Sequence, residues 1–98
     1  MSNTVDIFLN VGPTKFTENV EGYRILAFTY QSKHSGDDAA DEAFIMSNAP
    51  SLLLPDETYE LKKEYYKSPK RPITIGDAVV VNDDIYLCIE DGWKKLDL

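Results

Sequence analysis

Apolar residues gather into short β-type runs at both ends of the chain and into helix-spaced positions in its middle. Val5 to Val11 is rich in β-formers and stops at Gly12-Pro13, and Tyr23 to Gln31 is a second run of this kind, begun after Gly22. Each predicts a strand. Alternation in the second puts Arg24, Leu26, Phe28 and Tyr30 on one face, which marks Leu26 and Phe28 as core candidates. After the polar loop Ser32 to Gly36, the positions Ala39, Ala40, Ala43, Phe44 and Ser47 follow helical spacing. Ser35 with Asp38 three residues on makes a capping-box pattern, and the acids Asp37, Asp38, Asp41 and Glu42 suit the positive end of a helix dipole. Asn48 and Pro50 close that helix. A second helix is predicted from Asp56, as N-cap, to about Lys67, with Thr58, Leu61 and Tyr65 on one face, and Ser68-Pro69 ends it. The segment between them, Ser51-Leu52-Leu53-Leu54-Pro55, is too short to type.

The C-terminal third reads most plainly. Ile73 to Ile75, Ala78 to Val81 and Ile85 to Ile89 are apolar β-type runs separated by Gly76-Asp77 and Asn82-Asp83-Asp84, a pattern for a hairpin, and Gly92 turns the chain into Trp93-Lys94-Lys95-Leu96. The expected architecture is α+β: a small, mainly antiparallel sheet from the N-terminal strands and the C-terminal hairpin, with two short helices on one face. No repeat or linker divides the 98 residues, so residues 1–98 are expected to form a single domain.

The run from Ile73 to Trp93 resembles the end of a family of small uncharacterised actinobacterial and phage-borne proteins. That pattern has Ser-Leu-Ser-Val-Gly-Asp-Val-Val, a short turn, a strand with an aromatic residue and Cys, then Gly-Trp. The likeness continues upstream in Ala43, Phe44 and Asn48, and in the Pro55-Asp56 helix start. It implies a fold and no particular activity. This chain departs from the pattern at Asp83, where the turn Gly is usual, and at Thr74 and Ile75, near the usual Ser. Since Asp tolerates positive φ less well than Gly, the hairpin loop is expected to exceed two residues.

Charge narrows the function classes. Ten Lys and Arg against 17 Asp and Glu give a net charge of −7, which works against general binding to phosphate backbones or anionic membranes. The balance is uneven, because residues 62–71 hold Lys62, Lys63, Lys67, Lys70 and Arg71 with only Glu64 against them. This basic island interleaves cations with Tyr65 and Tyr66 as single-strand binders do, although an amphipathic helix end with solvated lysines has the same look. Pro69 and Pro72 make only a minimal PxxP. Cys88 is the one cysteine, so no intrachain disulfide can form, and with no signal-peptide or membrane-span pattern in the sequence the expected location is the cytoplasm.

No catalytic constellation stands out. Cys88 and the one histidine, His34, are distant in sequence, and Cys88 reads as a buried structural thiol. His34 with Asp37, Asp38 and Asp41 has donors for a divalent metal, but the helix N-terminus explains the same acids. Asp83, Asp84, Glu90 and Asp91 are a candidate acid–base set that turn chemistry also accounts for. Trp93 is expected in the core. No catalytic residue, cofactor or metal is therefore expected. The first reading is a non-enzymatic interaction module, encoded by a phage or mobile element, that binds a host or sibling protein through Tyr66, Lys67, Lys70 and Arg71. The alternative is a nucleic-acid role, by contact through residues 62–71 or by mimicry from the acidic surface; the third is an enzyme with an unrecognised site.

Overall fold

The computed structural model describes residues 2–11 and 24–96. The Gly12-Pro13 stop, Gly22 and Tyr23 lie outside them. The elements are β1 (Asn3–Asn10), β2 (Arg24–Ser32), α1 (Gly36–Asn48), a 3₁₀ turn (Ser51–Leu53), α2 (Asp56–Tyr65), β3 (Ala78–Val81), β4 (Asp84–Ile89) and β5 (Gly92–Leu96). The strands form one antiparallel sheet in the order β2-β1-β3-β4-β5. The fold is thus the expected α+β, with β5 where the sequence pattern marks no strand and no strand at Ile73 to Ile75.

The core lies between one face of the sheet and the helices. Val5, Ile7 and Leu9 from β1, Val79 and Val81 from β3, and Tyr86 and Cys88 from β4 meet Ala39, Ala40, Ala43 and Met46 of α1 and Tyr65 of α2. Small alanines let α1 lie close to the sheet, and Met46 fills the space toward its end. Tyr65 is fully buried, as its spacing with Leu61 implies. Its ring stands perpendicular to those of Phe28 and Tyr66, with centroids 5.6 and 4.8 Å away.

Leu26 is not core: it is 55% exposed. The register of β1 with β2 shifts between Ile7 and Phe8, so Ile7 opposes Phe28 while Phe8 opposes Leu26. One extra residue, Ala27, breaks the alternation, and Leu26 pairs with the outward-facing Phe8. Phe28 stays packed against the core. Ser35 begins α1 with extended backbone but makes no side-chain cap, and Pro55 occupies the cap position of α2, so Asp56 is the first helical residue. That helix ends at Tyr65 rather than Lys67.

Ile73 to Ile75 is not a strand. Side chains take its backbone donors instead: Ser47 Oγ accepts the Ile73 N–H at 3.0 Å and Asp77 accepts the Thr74 N–H at 2.8 Å. The β3–β4 loop has only two residues, because Val81 pairs with Asp84. Asn82, not Asp83, takes the positive φ of 56°. Its amide is held by β1, Oδ1 accepting from the Thr4 N–H at 3.1 Å and Nδ2 donating to Asn3 Oδ1 at 2.8 Å. Gly92, at φ 127°, opens β5, an edge strand opposite β4. Trp93 is consequently half-buried rather than in the core: it packs against the core's edge, its ring centroid 6.4 Å from that of Phe44, and Asp41 Oδ1 accepts its indole N–H at 2.7 Å.

Candidate functional site

The island residues sit where α2 gives way to the segment leading into β3. Arg71 reaches across to buried Asp77 and donates to both carboxylate oxygens, at 2.5 and 2.7 Å, as well as to the Asn10 carbonyl at 2.8 Å and the Pro72 carbonyl at 3.1 Å. Hydrogen bonding to Asp77 raises the guanidinium's pKa above its ordinary value, against the opposing effect of burial. Asp77 also accepts from the Asn10 N–H at 2.8 Å, so one carboxylate ties β1, the 71–74 segment and the start of β3 together. Lys70 folds back, donating to the Tyr65 carbonyl and to Ser68 Oγ, each at 2.7 Å, with its ammonium 5.3 Å from the Tyr65 ring centre. Tyr66 donates its hydroxyl to the Ser47 carbonyl at 2.6 Å. Only Lys67 of the four predicted contact residues stands in solvent, paired with Glu64 at 3.3 Å. The structure therefore brings Tyr66, Lys70 and Arg71 together as ties between elements.

A second polar cluster centres on Glu42 of α1. Tyr30 and Ser32 hydroxyls donate to its Oε1 at 3.0 and 2.7 Å, and His34 Nε2 lies 3.5 Å from its Oε2. Burial first, then Glu42, lifts the Tyr30 phenol well above its usual range, so the hydroxyl keeps its proton and remains a donor. The Ser32 proton is directed at the carboxylate rather than at the imidazole, which is not the arrangement that activates a serine. No group of three or more metal-ligating side chains is found among the described residues.

The other candidates are separated by the sheet. Cys88 lies on β4 and His34 follows β2, three strand spacings of about 4.8 Å apart. Burial pushes the Cys88 thiol from 9.0 to about 11, away from the thiolate form that a nucleophile needs. Asp83 and Asp84 flank one end of β4 and Glu90 and Asp91 the other, a separation of about 20 Å for a six-residue strand. A single substrate bond does not lie within reach of both pairs.

What the sequence patterns did not mark is the turn between the helices. Leu53 donates its N–H to the Pro50 carbonyl at 2.9 Å and Leu54 to the Ser51 carbonyl at 3.2 Å, and this turn carries Leu52 at 94% exposure and Leu53 at 73%. Ile45 of α1 and Tyr59 of α2 are also exposed on the flanking helices. The available signal was three consecutive leucines bracketed by Pro50 and Pro55, an apolar run with no periodic place in a core. Among the described residues no helix is long and apolar enough to cross a membrane. Comparison of the chain with protein-family models, with curated proteins and with solved structures found no match.

Proposed function

We propose that the chain is a non-enzymatic interaction module of a phage or mobile element, acting in the cytoplasm by binding a host or sibling protein. The observation that carries this reading is the pair Leu52 and Leu53, exposed on a hydrogen-bonded turn and outside the core cluster. Leaving two leucines in water forgoes about 1.5 to 3 kcal/mol of burial each, a stabilisation that a partner surface recovers. A protein surface is the natural recipient, since nucleic acid offers phosphates to a chain of net charge −7 whose Lys70 and Arg71 already serve the chain itself.

Affinity capture from a lysate of the cells that express the chain, with and without nuclease, tests the reading. A stoichiometric protein partner retained after nuclease treatment is the expected result. Recovery that vanishes with nuclease would instead identify nucleic acid as the ligand.

A further inference from the structure

Two shallow hollows adjoin on the helical side of the molecule. One, of about 340 Å³, is lined by Leu52, Leu54, Asp56 and Tyr59; the other, of about 420 Å³, is a cleft between the helices lined by His34, Asp38, Asp41, Glu42, Ile45 and Pro55. They meet along Leu54-Pro55-Asp56. The apolar part is presented firmly, since the turn is closed by its own backbone bonds, is bracketed by Pro50 and Pro55, and is tied to α2 where Lys62 Nζ donates to the Ala49 carbonyl. A surface fixed before binding loses little conformational freedom on binding.

Its charge selects the occupant. Asp38, Asp41 and Asp56 have no cationic partner among the described residues, Asp41 accepting only the Trp93 indole N–H on one oxygen, whereas His34 is engaged with Glu42, Lys63 with Glu60 and Lys33 with Glu57. A second copy of the chain on this face would set the same acids against one another, and an anionic membrane or nucleic acid would be repelled. We infer that this face docks a cationic, apolar segment of another protein, its apolar side chains on Leu52, Leu54 and Tyr59 and its Lys or Arg side chains against Asp38, Asp41 and Asp56 along the cleft. This rests on the interaction-module reading and gives it a surface and a partner chemistry.

A displayed library of random peptides, selected on the immobilised full chain, tests it directly. The enriched peptides should combine apolar residues with two or more Lys or Arg. Their affinity should fall at least tenfold on Leu52→Ser with Leu53→Ser, and on Asp38→Asn with Asp56→Asn, all exposed positions. Hydrogen exchange of the wild-type chain with the tightest peptide bound should show new protection over residues 45–59, a readout that does not depend on any variant folding. Enriched peptides lacking cations, protection elsewhere, or equal binding by the folded leucine variant would overturn the surface while leaving the interaction reading intact. Absence of any enrichment on the folded chain would overturn both.

Discussion

Asp77 concentrates more of the fold in one side chain than any other described residue. It is fully buried, accepts from the backbone of Asn10 and Thr74, and receives a two-pronged guanidinium from Arg71. Such a carboxylate is stable in the interior only because its oxygens are surrounded by donors, and removing one partner strands the rest. Asp77→Asn substitutes an NH₂ for an oxygen that accepts, turning it toward existing donors. It should cost about 3 to 5 kcal/mol, read as a lower urea midpoint with an unchanged slope. Little of this was legible in the chain. Gly76-Asp77 has the form of a turn, and an Asp in a turn is ordinarily solvated; only the distant Arg71 and Asn10, brought together by folding, make it an anchor. The same limit applies to the island, whose Lys70 and Arg71 have the composition of a contact surface and the geometry of internal ties. The exposure of Leu26 is hidden in the sequence for a different reason, because a one-residue bulge leaves no mark in an alternating pattern.

At the scale of elements, long runs of consistent residue type were readable and their borders were not. β3 is four residues long, yet β1 and β4 flank it on both sides, so its amides are paired within the sheet and covered by α1. The segment from Ala78 to Ile89 should therefore exchange its amide hydrogens more slowly than α2, whose buried face is small. β5 has no strand signature in the sequence, because Gly92-Trp93-Lys94-Lys95-Leu96 carries two lysines and little alternation, as befits an exposed edge strand. The β3–β4 turn is shorter than the expected loop, since Asn82 rather than Asp83 adopts the left-handed backbone and β1 holds its side chain. Asn82→Gly keeps the backbone relaxed and loses only the amide's bonds to Thr4 and Asn3, whereas Asn82→Val also forces a β-branched residue to φ 56°. In denaturant titrations the valine variant should be less stable than the glycine variant by at least about 1 kcal/mol.

For the molecule as a whole, the buried titratable groups with shifted proton affinity near its core act in one direction. Burial raises Tyr30, Tyr65 and Tyr66 above the ordinary phenol value of 10.0, and raises Cys88 from 9.0 to about 11. For each, the folded chain holds the proton more tightly than the unfolded chain. The stabilisation is therefore complete below the unfolded value and is lost as pH rises toward the folded one. Cys88 begins the loss at about pH 9, and the tyrosines add to it above 10. Two units on a nearly inaccessible thiol correspond to about 3 kcal/mol at most, a sizeable share of the stability of a domain this small. Melting temperature should therefore be nearly level from pH 7 to 9 as far as these groups contribute, then fall steeply toward pH 11. Cys88→Ala should move the start of the fall to about pH 10, where the phenols take over, because alanine removes the first proton to be lost while filling most of the same space. In the wild type, the share of tyrosinate absorbance at 295 nm that is lost in a Tyr30→Phe, Tyr65→Phe variant should appear only with the loss of tertiary structure, since these two phenols ionise in this range only once they reach water. A variant and a wild type that both hold their melting temperature through pH 10.5 would show that these hydroxyls and the thiol are better solvated than their packing against Phe28, Glu42 and Trp93 requires.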